Sequence, residues 1–98
     1  KVMVIAPHPD DETLGCGGAI LRHIAGGDDV YWLIMTTMKG SSIFTEEQVT
    51  KRGKEIETVS SRYGFKEVFN SDFPTMELDT VPKKDLVGFI SNIFDKVR

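Results

Sequence analysis

Two strands separated by one helix are predicted within the first 36 residues, and this arrangement limits the possible folds more than any other feature. Residues 2–6 are a short apolar run, and residues 30–35 are a continuous apolar run rich in β-forming side chains. Between them, residues 13–25 have the pattern of a helix, and the Gly26-Gly27-Asp28-Asp29 segment signals a turn. Such a unit normally has parallel strands and a right-handed crossover. The sequence therefore predicts an α/β fold with a mostly parallel sheet.

The rest of the chain continues the alternation of strands and helices. Thr45 and Gln48 have the spacing of a capping box and Gly64 is a typical helix end, which predicts a second helix over residues 45–63. A third strand is predicted at residues 65–69 and a third helix at residues 82–97, after an irregular connection. A further strand would normally follow this helix. We therefore expect the 98 residues to be the N-terminal part of a single domain, Rossmann-like and three-layered (α/β/α), that is truncated at its C-terminal end.

Charge and hydropathy exclude two classes of partner. The net charge is −3 and the basic residues are dispersed, so the sequence shows no footprint for nucleic acid. No apolar run approaches the roughly 20 residues that a membrane span needs. A signal-peptide pattern is absent from the first residues, and the single Cys16 cannot form an internal disulfide, which fits a reducing compartment. We expect a cytoplasmic protein that binds a small molecule.

The chemically distinctive residues follow directly on the first strand. In Ala6-Pro7-His8-Pro9-Asp10-Asp11-Glu12-Thr13, an imidazole and three carboxylates fall within five residues at a strand-to-helix turn. Ligands of open α/β sheets bind at such turns. An imidazole and a carboxylate are common ligands of divalent metals, above all zinc, and the spacing lets His8 and Asp11 turn toward one point. Asp10, between them, can then face a water molecule at the metal.

A simpler interpretation of the same residues stays open. Asp10 or Asp11 can cap the following helix, and Glu12 can complement its dipole. However, Pro7 and Pro9 keep the chain extended on both sides of His8, a stiffness that a simple cap does not need. The sequence therefore favours metal binding, with Glu12 supporting the helix terminus.

The glycines of the first helix also have two interpretations. Gly15, Gly17 and Gly18 follow an acidic stretch, whereas a dinucleotide-binding motif places its glycines before the helix and has no carboxylates facing the pyrophosphate. We instead expect Gly17 and Gly18, between Leu14 and Leu21 on the inner face, to let the helix approach the sheet closely.

Four other side chains are further candidates for the site, namely Cys16, His23, Asp72 and Asp79. Cys16 is expected to be a small buried side chain and not a ligand or nucleophile. His23 lies about 18 Å along the helix from Asp11 and is expected at the surface. Asp72 and Asp79, in the long connection before the third helix, are either turn formers or residues that face the cleft.

A loop and an arginine are expected beside the first turn. Residues 37–44 form a polar loop that contains Lys39-Gly40-Ser41-Ser42 and leaves the same end of the sheet, so it is a candidate substrate loop. Arg52 falls inside the apolar stripe of the second helix. It either extends around the helix edge or places a cation near the carboxyl end of the sheet, where it would hold an anionic intermediate or a substrate oxygen. That stripe consists of Val49, Ile56, Val59 and Tyr63.

Residues 6–12 resemble the signature of the PIG-L/LmbE-like family, the zinc-dependent N-acetylglucosaminyl deacetylases, in which a (P/A)HPDDE motif follows the first strand. The resemblance continues through the glycine-rich first helix and the Met35-Thr36-Thr37 segment. It extends to Arg52-Gly53-Lys54-Glu55 and to Tyr63-Gly64-Phe65, where the family has an Arg-x-x-Glu helix that ends in a glycine. The resemblance thus covers essentially the whole chain.

This resemblance implies a role for each residue of the cluster. His8 and Asp11 would be zinc ligands, Asp10 the general base, and Arg52 a contact to the substrate or the oxyanion. The family's third protein ligand is a histidine in a His-x-x-His segment after the next strand, and the 98 residues contain no such segment. We therefore expect an incomplete metal site and no activity from this chain alone.

The resulting hypothesis is a metal-dependent amidohydrolase that removes an N-acetyl group from an amino sugar in a glycoconjugate. Zinc would polarise the acetyl carbonyl and lower the pKa of its bound water, and Asp10 would take the proton of that water. Two alternatives remain at this point. One is a non-catalytic module that binds a metal or a sugar, and the other is a purely structural α/β domain without metal dependence.

Overall fold

The computed structural model describes residues 1–40 and 43–98 of the chain. Its helices and strands alternate, as the sequence predicts. In chain order the elements are β1 (Val2–Ala6), α1 (Asp11–Ala25), β2 (Val30–Ile34), α2 (Glu46–Tyr63), β3 (Glu67–Asn70), a short 3-10 helix (Leu78–Thr80) and α3 (Lys83–Val97).

The described strands form one parallel sheet in the order β1-β2-β3. All five residues of the central strand β2 are buried, because the strand is covered on both faces. This burial explains why β2 is a continuous apolar run in the sequence. In register, β1 and β2 pair from Val2 with Val30 to Ala6 with Ile34, and β2 and β3 pair from Tyr31 with Glu67 to Ile34 with Asn70.

Helices pack on both faces of the sheet, which confirms the predicted three-layer α/β/α fold. On one face, Trp32 and Ile34 of β2 pack with side chains of α1 and α2, including Ile20 and Ile56. On the opposite face, Leu33 packs against side chains of α3. The α3 residues in that second cluster are Leu86, Phe89, Ile90 and Ile93. No helix within the described ranges is long and apolar enough to cross a membrane.

Two predicted element boundaries are wrong by about two residues. Helix α1 begins at Asp11 and not at residue 13, so Asp11 belongs to its first turn. Strand β3 spans Glu67–Asn70 and not residues 65–69. Phe65 is apolar because it lies in the core beneath the turn that follows α2, where its ring centroid is 5.3 Å from that of Trp32. In the sequence, this buried apolar residue therefore looked like the start of the third strand.

The predicted inner face of α1 is wrong. Leu14 and Leu21 are 85% and 57% exposed. Cys16 has non-helical backbone angles of φ −146° and ψ 30°, which kink the helix. Because of this kink, the periodicity of the first turn does not carry through to the rest of the helix. The α1 side chains that pack in the core are Cys16, Ile20 and Ile24.

The close approach at Gly17 is to another helix and not to the sheet, which also corrects the expectation. A Cβ atom at Gly17 would lie 3.2 Å from the hydroxyl of Tyr63, on α2. That hydroxyl donates a hydrogen bond of 2.9 Å to Thr13 Oγ1. Gly18 is exposed and a Cβ there would meet nothing within 4 Å. Gly17 therefore makes room for α2 beside the start of α1.

The predicted ends of α2 are confirmed. Thr45 Oγ1 accepts a hydrogen bond of 3.1 Å from the backbone N–H of Gln48, and Gln48 Oε1 accepts one of 2.8 Å from the N–H of Thr45. At the other end, Gly64 has a left-handed conformation with φ 83°. Two local signals thus define a helix that carries Arg52.

Replacing Thr45 with alanine is expected to lower the free energy of unfolding by about 1 kcal/mol, because the N–H of Gln48 loses its capping acceptor. Urea denaturation followed by circular dichroism measures this change. Thr50→Ala, within the same helix and also exposed, is the matched control and should be neutral or stabilising. Equal stability of the Thr45 variant and the unaltered protein would contradict the capping role.

Candidate active site

His8 and Asp11 lie together at the turn between β1 and α1. The His8 backbone N–H donates a hydrogen bond of 2.9 Å to Asp11 Oδ2, and His8 Nδ1 is 3.3 Å from the same oxygen. Both side chains are about half exposed, at 48% and 43%. The two predicted metal ligands are therefore brought together, and neither is buried in the core.

A buried threonine ties this turn to the central strand. Thr36, directly after β2, is 3% exposed and its hydroxyl donates a hydrogen bond of 2.6 Å to the carbonyl of Pro7. This bond joins residues 29 positions apart in sequence. The residue that precedes His8 is thus anchored to the end of β2.

Glu12 is a buried carboxylate beside the exposed acids. It is 2% exposed, and Glu12 Oε2 accepts a hydrogen bond of 2.9 Å from the backbone N–H of Asp10. The Thr13 hydroxyl donates to Glu12 Oε1 at 3.3 Å. Burial raises the pKa of Glu12 above its ordinary value, although these hydrogen bonds act in the opposite direction. Glu12, which the sequence predicts to support the helix terminus, is therefore also a buried hydrogen-bond acceptor.

Asp10 does not cap α1 through its side chain, unlike in the simpler interpretation of the sequence. Its side chain is 75% exposed, and Asp10 Oδ2 lies 3.9 Å from Arg52 Nη1. The same arginine nitrogen is 4.0 Å from Glu55 Oε2. The structure thus brings Arg52 from α2 to the first turn and leaves the Asp10 carboxylate accessible.

A cleft of about 310 Å³ lies at the carboxyl end of the sheet, where α/β folds bind their ligands. His8 and Arg52 both line it, whereas Asp10 and Asp11 do not belong to its lining. The described part of the predicted substrate loop contributes Lys39 and Phe44. Ser41 and Ser42 of that loop lie outside the described residues. The cleft therefore joins the turn, the loop and α2.

Several polar residues stay away from the cleft. His23 is exposed, as predicted, and its Nδ1 lies 2.8 Å from Asp28 Oδ2. Cys16 is partly buried and packs in the core, also as predicted. Asp72 and Asp79 are exposed and do not line the cleft, so the structure does not bring them to the candidate site.

Sequence reasoning missed two cleft residues, one at the end of β3 and one in the connection that follows it. Asn70 and Thr75 line the cleft, although no charge or motif marks them. Thr75 is brought there by pairing beyond the strands, because the Thr75 N–H donates to the Thr37 carbonyl at 3.0 Å. The only available signal was position, since Asn70 ends β3 at the same edge of the sheet as the His8 turn.

The profile of the family described as GlcNAc-PI de-N-acetylase, PIG-L, matches residues 3–98. This chain belongs to the PIG-L family. The match includes the described cleft and the His8 turn, so the predicted family is confirmed.

Curated relatives of this PIG-L chain are deacetylases. It is 34% identical over 84 residues to the diacetylchitobiose deacetylase of Thermococcus kodakarensis, a match that covers 80% of this chain and 31% of that protein. It is 40% identical over 47 residues to the 1D-myo-inositol 2-acetamido-2-deoxy-alpha-D-glucopyranoside deacetylase of Rhodococcus jostii, covering 48% and 16% of the two proteins. The chain thus spans a third or less of the length of these relatives.

Solved structures share the fold. A conserved protein from Thermus thermophilus superposes with a TM-score of 0.67 at 38% identity, over 84% of this chain and 36% of that chain. The N,N'-diacetylchitobiose deacetylase of Pyrococcus horikoshii, complexed with its inhibitor, superposes with a TM-score of 0.66 at 28% identity, over 79% and 30%. These likenesses agree with the parallel sheet and its flanking helices.

The residues of the PIG-L turn fit a divalent metal ion in part. His8 Nδ1 and Asp11 Oδ2 are a nitrogen and an oxygen donor at 3.3 Å from each other, both accessible from outside the core. Across residues 1–40 and 43–98, however, no three side chains of His, Cys, Asp or Glu are grouped as a metal site. The described residues therefore supply a donor pair, and a catalytic zinc site ordinarily has three protein ligands.

Proposed function

We propose that the protein carrying this chain is a zinc-dependent hydrolase that removes an N-acetyl group from an amino sugar in a glycoconjugate. The observation that carries this proposal is the His8–Asp11 donor pair, within the PIG-L motif, beside a cleft that also contains Arg52. The curated relatives are named as deacetylases of acetylated amino sugars. The proposed reaction consumes water and the amide and produces acetate and a free amine.

His8 and Asp11 are the residues that would hold the metal. A bound divalent metal supplies Lewis-acid chemistry, because it polarises a carbonyl and lowers the pKa of a water molecule. The third ligand of the proposed site lies outside the 98 residues. We accordingly propose that these residues are the N-terminal part of a single deacetylase domain, and that they need the rest of it for activity.

Asp10 is the proposed general base. Its carboxylate is exposed and follows His8 by two residues, so it can accept a proton from water that attacks the amide carbon. The proton then returns to the nitrogen of the leaving amine as the C–N bond breaks. The acid–base cycle of Asp10 thereby closes without any other reactant.

Arg52 is the proposed substrate contact. Its side chain is 34% exposed and lines the same cleft as His8, so its guanidinium can donate to an oxygen of the substrate or of the tetrahedral oxyanion. Asp10 Oδ2 lies 3.9 Å from Arg52 Nη1 and so holds the guanidinium beside the turn, while Glu55 Oε2 of the same helix is 4.0 Å from that nitrogen.

We further propose a cytoplasmic location, because the lone Cys16 fits a reducing compartment.

Removing metal from the full-length protein is expected to abolish its release of acetate from an N-acetylglucosaminide, and added zinc should restore it. The reason is that amide hydrolysis at a metal site depends on the Lewis acid. Acetate is measured by an enzyme-coupled assay, and metal content by elemental analysis before and after chelation.

A protein that retains zinc and releases no acetate from such substrates would be a binding module, and this outcome contradicts the proposed hydrolase. A protein that contains no metal and is unaffected by chelation would be a structural domain. His23→Gln is the control for histidine loss, since His23 lies on the exposed surface of α1 and its replacement should leave both zinc content and activity unchanged.

A further inference from the structure

The backbone of Asp10 has an unusual conformation for a residue with a side chain. Its angles are φ 97° and ψ −30°, and among the described residues Met76 is the only other non-glycine residue with positive φ. Such conformations cost on the order of 1–3 kcal/mol and persist only where neighbouring contacts impose them. Some interaction must therefore hold Asp10 in place.

The carbonyl side of Asp10 is held by the start of α1. The N–H groups of Thr13 and Leu14 donate to the Asp10 carbonyl at 3.1 and 3.0 Å. These bonds belong to any helix that begins here, so they do not explain the positive φ. The N–H side of Asp10 is where this turn differs from an ordinary helix start.

That N–H donates to the buried carboxylate of Glu12 at 2.9 Å. Burying a carboxylate is costly unless hydrogen bonds compensate, and support of a helix dipole needs no burial. Glu12 is nevertheless 2% exposed, and it lines a small pocket between α1, β2 and α2 together with Asp10, Trp32 and Arg52. Its carboxylate is thus buried within hydrogen-bond distance of the Asp10 N–H.

We propose that Glu12 is a positioning residue, whose buried carboxylate holds the Asp10 backbone in its positive-φ conformation and so aims the Asp10 carboxylate toward Arg52 at the edge of the cleft. This inference rests on the proposed function of Asp10 as general base. Glu12 touches no reacting atom in this scheme. It acts only through the Asp10 N–H.

Glu12→Met removes the acceptor at nearly constant size, and Glu12→Gln keeps one acceptor oxygen without the charge. In the full-length protein, Glu12→Met is expected to lower kcat for acetate release about 10- to 100-fold, because the base is misplaced. KM and zinc content should stay within about twofold, since His8, Asp11 and Arg52 are unaltered. Glu12→Gln should restore most of kcat.

Hydrogen exchange of the Asp10 amide, followed by NMR without metal, supplies a readout that does not depend on activity. Exchange should be slow in the unaltered protein and in Glu12→Gln, and at least about tenfold faster in Glu12→Met. Thr13→Ala is the control, because it removes the other hydrogen bond to Glu12, and with it the bond from the Tyr63 hydroxyl, but leaves the bond from the Asp10 N–H. Its kcat should stay within about twofold of the unaltered value.

Unchanged kcat in Glu12→Met, or an equal loss in Thr13→Ala, would overturn the proposal. If Glu12→Met does not fold, Glu12→Gln decides alone. If the Asp10 amide of Glu12→Gln exchanges slowly and this variant keeps its kcat, the positioning role is supported. If its Asp10 amide exchanges slowly but its kcat is at least tenfold lower, the positioning role is overturned. If the unaltered protein releases no acetate, the proposed hydrolase fails, and fast Asp10 exchange in the unaltered protein would overturn the Glu12 role by itself.

Discussion

Asp10→Asn in the full-length protein is expected to lower the rate of acetate release about 10²- to 10⁴-fold, the range that general base catalysis supplies. Asparagine has nearly the same size as aspartate and cannot accept the proton of the attacking water. The side chain is 75% exposed, so the substitution leaves the core intact. The measurement is the steady-state rate of acetate release from an N-acetylglucosaminide.

Zinc content and stability separate loss of the base from loss of the site. Both should match the unaltered protein, because the proposed ligands are His8 and Asp11. Asp95→Asn, the same substitution on α3 across the sheet, is the control and should retain full activity. Undiminished turnover of Asp10→Asn at full zinc content would rule out Asp10 as the base.

Leu33→Ala is expected to lower the free energy of unfolding by about 2–5 kcal/mol, the largest stability effect among these substitutions. Leu33 is fully buried in β2 and packs in the cluster formed with α3. Its truncation removes apolar contacts and leaves a cavity at the centre of the sheet, which close-packed neighbours fill only in part. Urea denaturation of the purified protein, followed by circular dichroism, measures the loss.

Leu14→Ala is the matched control, because the same atoms are removed from a side chain that is 85% exposed. Its free energy of unfolding should change by no more than about 0.5 kcal/mol. Equal losses for the two leucines would mean that α1 packs through Leu14, as the sequence pattern suggested. This pair therefore also tests the corrected inner face of α1.

The alternation of elements was predictable because each signal is local. The capping box at Thr45 and the αL glycine at Gly64 involve residues within one helical turn, and both were found as predicted. The apolar run of β2 follows from its burial on both faces, which a parallel sheet requires. The errors occurred where a local pattern has two causes. Phe65 is apolar because it lies in the core beneath a turn and not because it belongs to a strand.

The sequence by itself determined the order of strands and helices, the family, and the motif of His8, Asp10 and Asp11, since these depend on neighbouring residues. Only the tertiary structure decided which distant groups meet them. Thr36 reaches the Pro7 carbonyl across 29 positions, and Arg52 comes within 3.9 Å of Asp10, because parallel strands end at one edge of the sheet. The burial of Glu12 likewise depends on how α1 and α2 pack over β2, and sequence periodicity contains no information on that packing once α1 is kinked.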